Sequence, residues 1–90
     1  MKLSFVIVNY NVKEYLEQLL LSLRRSLQNL SHEIIVIDNA SVDDSVPHIR
    51  ARFPEVKLIA SDENLGFGKA NNIALAQAKG EYIVMINPDT

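Results

Sequence analysis

Four short polar clusters hold the groups in this sequence that can do chemistry: Asn9-Tyr10-Asn11, Asp38-Asn39, Ser61-Asp62-Glu63-Asn64 and Asn87-Pro88-Asp89. Each follows an apolar run, and there is little positive charge among them. Amides and carboxylates in this combination can read a nucleobase through hydrogen bonds, or hold a hard divalent cation through oxygen. Taken singly, each cluster is also ordinary loop chemistry, because Asn, Asp and Ser cap helices and tolerate tight turns. Four of them make a site only if the fold gathers them.

Better-known arrangements do not fit. A dinucleotide fingerprint needs a glycine-rich turn after the first strand, and no glycine occurs there. Gly66-Phe67-Gly68-Lys69-Ala70 has neither the spacing nor the hydroxyl of a phosphate-binding Walker loop. A receiver-type domain wants acidic residues where Asn9 and Asn11 stand. His32 precedes a strand, at the wrong end of a sheet for a nucleophilic triad, and His48 reads as a solvated side chain of a surface helix.

The elements that must position these clusters follow from periodicity. Leu3-Ser4-Phe5-Val6-Ile7-Val8 is a β-branched run that reads as a buried strand. Val12, Tyr15, Leu16, Leu19, Leu20, Leu23 and Leu27 recur at helical spacing, with acidic residues early and basic residues late. That helix has more apolar positions than one buried stripe needs, and it reads as a core helix. Glu33 to Asp38 is a second strand, apolar on both faces until its final carboxylate. Ser41 or Asp43 is placed to cap a short helix that runs to about Arg52, before Pro54. Val56 to Ala60 is a third strand, Lys69 to Lys79 an alanine-rich helix closed by Gly80, and Tyr82 to Ile86 a fourth strand. Alternating strands and helices predict a three-layer αβα domain with a mainly parallel sheet and right-handed crossovers. In such a sheet all four clusters fall on one rim, at the carboxyl ends of the strands.

The 90 residues are one domain or less, 48% hydrophobic and 22% charged, the balance of a folded domain and not of a disordered tail. A net charge of -2 argues against a nucleic-acid protein that works through a basic surface. The absence of cysteine removes disulfides, thiolate metal sites and thiol nucleophiles. No apolar run approaches the ~20 residues that cross a bilayer. Met1-Lys2 runs straight into the first strand without a signal-peptide pattern, so the expected location is cytoplasmic.

Val6-Ile7-Val8-Asn9-Tyr10-Asn11, Ile35 to Asp43, Asn64 to Asn72 and Met85-Ile86-Asn87-Pro88-Asp89, in this order and at these separations, resemble the N-terminal part of a family 2 glycosyltransferase. The likeness is nearest to the rhamnosyltransferase-like branch and covers essentially the whole chain. It implies the Rossmann-like half of a GT-A fold and a nucleotide-diphospho-sugar donor, UDP- or dTDP-linked. By resemblance, Asp38 contacts the nucleobase, accepting the imide N–H of uracil or thymine, and Asn9, Tyr10 and Asn11 line the base and ribose. Asn39 and Asp43 lie near the nucleotide, with a helix cap as the equal alternative for Asp43. Asn64, Gly66, Lys69 and Asn71 match the donor-proximal loop, where Gly66 and Gly68 let the backbone approach closely and Lys69 reaches a phosphate.

Asn87-Pro88-Asp89 takes the place of the family's acidic metal motif, with an amide as its first member. Asp89, with Asn87, would hold Mg2+ or Mn2+ when the nucleotide is present. The general base of inverting transfer is expected beyond Thr90. Residues 1–90 are therefore expected to be the donor-binding portion of a truncated domain, inactive alone, whose parent transfers sugar to a glycan or lipid-linked acceptor in polysaccharide synthesis. The parent's place at the cytoplasmic face of a membrane fits such acceptors. An uncovered sheet edge and self-association are expected. The competing reading is a non-catalytic α/β nucleotide-binding or regulatory module.

Overall fold

The computed structural model describes residues 3–11, 13–41 and 43–86. Strands and helices alternate: β1 (Leu3–Asn9), α1 (Lys13–Ser26), β2 (His32–Asn39), α2 (Ser45–Arg52), β3 (Lys57–Ser61), α3 (Phe67–Gln77) and β4 (Tyr82–Ile86). The strands pair in parallel in the order β3-β2-β1-β4, so the winding reverses beside β1. The expected α/β architecture with its helices in two outer layers is the observed one.

The two central strands are apolar on both faces because both faces are covered. Phe5, Ile7, Ile34 and Val36 pack on one side against Leu16 and Leu20 of α1, Ile49 of α2, Phe53 and Val56. Val6, Val8, Ile35 and Ile37 pack on the other side against Ala70 and Ala74 of α3. Alanines four residues apart put two small side chains on one helix face, which brings α3 close to the sheet. The surplus leucines of α1 are core residues too: Leu19, Leu21 and Leu23 are half-buried against the first cluster. Among the described residues β4 is an edge strand, with Tyr82, Ile83, Val84 and Met85 exposed. No helix among the described residues is long and apolar enough to cross a membrane.

Three local expectations are corrected. α3 begins at Phe67, two residues before Lys69, because Gly66 takes a left-handed φ of 78° and turns the chain into the helix. It ends at Gln77, and Ala78 leaves it in extended conformation, so Gly80 is not its cap. His48 is no solvated side chain. Its Nε2 stands 3.1 Å from Glu17 Oε1, between α1 and α2, with Arg52 3.5 Å from the same oxygen.

Gly80 answers instead to a close approach. A Cβ there would meet the Ser4 nitrogen and Oγ at 2.7 Å and the Leu3 carbonyl carbon at 2.8 Å. The Gly80 N–H donates to Ser4 Oγ at 2.8 Å, and Ser4 donates to Glu33 at 2.6 Å. Gly80→Ala must displace backbone, and we expect it to cost ~1–3 kcal/mol. Urea unfolding would read this as a lowered midpoint, and a midpoint at or above wild type would contradict the packing.

Burial pushes the Glu33 carboxyl up, but hydrogen bonds from the Ser4 hydroxyl and the Lys79 N–H, aided by the Lys57 and Lys79 charges, hold it below its ordinary 4.5. A carboxylate lowered by folding stabilises the fold above its unfolded value and loses that contribution as pH falls through the folded value. The stability gap between wild type and Glu33→Ala should therefore be present at pH 7 and close below about pH 4.5. Denaturant midpoints across that range check it; a gap that widens on acidification would overturn it.

Candidate functional site at the carboxyl rim

Parallel register sets Asn9 opposite Asp38, at the carboxyl ends of β1 and β2. Both side chains are buried, 0% and 2% exposed. Asn9 donates through Nδ2 to Asp38 Oδ1 at 2.8 Å. The chain then turns back on itself: the Ser41 N–H donates to Asp38 Oδ2 at 2.9 Å and the Ser41 hydroxyl to Oδ1 at 2.7 Å. Ser41 Oγ in turn accepts the Asn11 N–H at 2.9 Å and the Asn9 amide at 3.3 Å. The buried carboxylate thus takes three protein donors, which is how a charge or dipole is kept in a dry place. Asn9 Oδ1 is buried without a hydrogen-bond partner among the described residues.

This network extends into the start of both flanking helices. The Lys13 N–H donates to Asp43 Oδ2 and the Asp43 N–H to Asn11 Oδ1, each at 3.4 Å. Asp43 Oδ1 accepts the Ser45 N–H at 3.0 Å and also the Ser45 hydroxyl. The N-cap of α2 is Asp44 and not the expected Ser41 or Asp43, and its side chain makes no cap bond; Asp43, one residue earlier, accepts the first helical N–H, that of Ser45. Lys13 and Asp44 form an exposed ion pair at 2.6 Å. Its hydrogen bond raises the Lys13 ammonium and lowers the Asp44 carboxyl from their ordinary values. Asn11, Lys13, Glu14, Tyr15, Asp43 and Asp44 line an open groove of about 310 Å³.

A second network leaves the same strand end in the other direction. Asn39 donates to Asn64 Oδ1 at 2.9 Å and accepts the Leu65 N–H at 2.6 Å, while Asn64 Oδ1 also accepts the Gly66 N–H at 2.9 Å. Asn39 pairs in register with Ser61, so the loop after β3 is clasped to the end of β2. Each βα junction carries one left-handed residue: Asn11 at φ 53°, Ala40 at 64° and Gly66 at 78°. Asn and Gly adopt this readily; Ala40 does so at a cost of ~1–2 kcal/mol, which the bonds around it must hold.

The rim thus sorts the expected residues into two depths. Asn9, Asp38, Asn39 and Asn71 are buried, whereas Tyr10, Asn11, Asp43, Asn64, Gly66 and Lys69 are exposed, Tyr10 at 47%. Neither network includes Tyr10, Lys69 or Asn71. Asn87 and Asp89 lie outside the described residues. Among the described residues no three acidic, histidine or cysteine side chains are gathered as a metal site. Ser41 is the residue that sequence reasoning missed as part of the rim. Its signal was the spacing Asp38-x-x-Ser41, a side-chain-closed turn that reads equally well as a helix cap.

A parallel αβα sheet with hydrogen-bonded amides and carboxylates along its carboxyl rim defines a doubly wound α/β domain, the class of fold whose ligand sites lie at that rim. This chain belongs to glycosyl transferase family 2, whose model matches residues 4–90. The poly(ribitol-phosphate) beta-N-acetylglucosaminyltransferase TarS of Staphylococcus aureus is 30% identical over 99% of this chain and 16% of its own length. The crystal structure of S. aureus TarS 1-349 in complex with UDP superposes with a TM-score of 0.86 at 29% identity, over 99% of this chain and 28% of that one. A mannosyltransferase from Pyrobaculum calidifontis, in complex with GDP-Man and Mn2+, gives 0.82 at 26% identity, over 98% of this chain and 27% of that one. The chain thus spans about a sixth of the TarS protein, 16%. The sheet is the Rossmann-like half of a GT-A fold, as expected. Membership of the family, rather than of its rhamnosyltransferase-like branch, is what these matches establish.

Proposed function

We propose that this chain supplies the nucleotide-sugar-binding portion of an inverting glycosyltransferase that transfers a sugar from a UDP- or dTDP-linked donor to an acceptor hydroxyl of a glycan or lipid-linked glycan. The observation that carries the reading is the Asn9–Asp38 pair, bonded at 2.8 Å on the carboxyl rim and joined to both neighbouring loops. A carboxylate has about four acceptor directions. Three are used by protein donors, which leaves one for a base imide N–H at Asp38. Tyr10 and Asn11, which follow Asn9 in the chain, are exposed and available to the base and ribose. The groove beside Asn11 has three carboxylates against one ammonium, so the phosphates belong on the other side, toward Lys69 at the start of α3.

The described residues do not by themselves make a cation site. The sequence candidates are Asp89 with Asn87, completed by the donor's own phosphates. Asp89 and Asn87 would there hold a Mg2+ or Mn2+ whose charge would offset that of the departing nucleoside diphosphate; the mannosyltransferase complex with Mn2+ favours this. In the transfer, the acceptor oxygen bonds to the anomeric carbon as the carbon–phosphate oxygen bond breaks. The bonding pair leaves with the diphosphate, and the hydroxyl proton passes to a base supplied by the parent protein. A parent at the cytoplasmic face of a membrane, and pairing of two copies through the exposed β4 edge, belong to the same proposal. Light scattering tests the pairing, with a monomer at all concentrations as the contrary result.

Calorimetric titration of the 90-residue chain with UDP, dTDP and GDP, with and without Mn2+, tests the donor reading. We expect binding of the two pyrimidine nucleotides that is stronger with the metal. No binding of any of the three, or binding of GDP alone, would contradict it.

A further inference from the structure

We infer that Ser41 is a positioning residue of the donor site, an inference that rests on the reading just given. Its hydroxyl lies where three separately placed groups meet: it donates to Asp38 Oδ1 at 2.7 Å and accepts the Asn11 N–H at 2.9 Å and the Asn9 amide at 3.3 Å. Its own N–H takes the other oxygen of Asp38 at 2.9 Å. One short side chain therefore orients the carboxylate and anchors the loop after β1, thirty residues away in sequence. It also fixes the turn that keeps Ala40 at a φ of 64°, a conformation alanine does not hold unaided. Ser41 has no need to touch the nucleotide. Its work is to hold the Asn11 loop over the end of β2, so that the two sides of the base site meet at one distance.

Alanine at this position removes the hydroxyl bonds while leaving the main-chain bond to Asp38. The Asn11 N–H then loses the Ser41 acceptor, and the loop after β1 keeps its longer bonds with Asp43. Threonine restores the hydroxyl. The experiment compares UDP titration and amide hydrogen exchange for wild type, Ser41→Ala, Ser41→Thr and Gly80→Ala, each at a temperature where it is fully folded. Gly80 lies at the opposite end of the sheet, beside Ser4, and serves as a variant that lowers stability without touching the rim.

We expect Ser41→Ala to weaken UDP about tenfold and to speed exchange of the Asn11 N–H by a similar factor, Ser41→Thr to recover both, and Gly80→Ala to change neither. Unchanged UDP affinity and unchanged Asn11 exchange in Ser41→Ala would overturn the inference, as would an equal loss of affinity in Gly80→Ala. Should wild type bind no UDP, the donor reading falls while the exchange data still decide the matter: faster Asn11 exchange upholds the tie and unchanged exchange removes it. If Ser41→Ala does not fold, Ser41→Cys, close in size and only a weak donor, takes its place with the same expected direction.

Discussion

Asp38→Ala should cost ~3–5 kcal/mol of stability and abolish nucleotide binding at the rim. The side chain is 2% exposed, and its removal takes the acceptor from the Ser41 hydroxyl and the Ser41 N–H and leaves the buried Asn9 amide only its longer bond to Ser41 Oγ. Each abandoned donor carries ~1–3 kcal/mol of desolvation, partly recovered where water enters. Asp38→Asn keeps the shape but turns an NH2 toward groups that are themselves donors, so it should recover only part of the loss. This ordering separates the two things Asp38 does. Urea midpoints report the structural part, and UDP titration of the folded fraction reports the other. Wild-type stability in Asp38→Ala would mean that the three bonds hold nothing together. Full UDP affinity in folded Asp38→Asn would mean that the nucleotide is read elsewhere.

Phe53→Ala is the second large effect, also ~3–5 kcal/mol. Phe53 is 1% exposed, directly after α2, and packs with Ile49, Val56 and the α1 leucines. The Arg24 guanidinium covers its ring at 4.5 Å to the centroid. Arg24 itself is pinned by Glu55 at 2.7 and 2.9 Å and by the Arg52 carbonyl at 3.0 Å. Deleting the ring opens a cavity under that lid and loosens α2, which the sheet holds through few other large side chains. An ordinary domain has ~5–15 kcal/mol in all, so the variant should melt more than 10 °C lower. Arg24→Ala, an exposed ion pair plus a ring contact, should cost only ~1–2 kcal/mol. Thermal melts of both decide it, and a Phe53→Ala no worse than Arg24→Ala would contradict the packing.

The fold was legible because its signals are collective. Runs such as Phe5 to Val8 and Ile34 to Ile37, apolar on both faces, make sense only between two helical layers. The site was legible as a rim but not in depth. Nothing in the one-dimensional pattern distinguishes Asn9, fully buried, from Tyr10, half-exposed, since both follow directly on the same apolar run. Their difference comes from the neighbour across the sheet, Asp38, which is known only once the register is. Ser41 escaped for the same reason: its three partners lie at sequence distances of 3, 30 and 32 residues. Gly80 was misread because a glycine after a helix most often caps it, whereas here it makes room for the backbone of β1.

Amide chemical-shift mapping of UDP with Mg2+ on the chain tests most directly whether the carboxyl ends of β1 and β2 form one side of a nucleotide site. Shifts concentrated at Tyr10, Asn11, Asn39 to Ser41 and Asn64 to Lys69 are the predicted result. Shifts gathered at the other end of the sheet, around Leu3, Glu33 and Gly80, or none under saturating UDP, would contradict it.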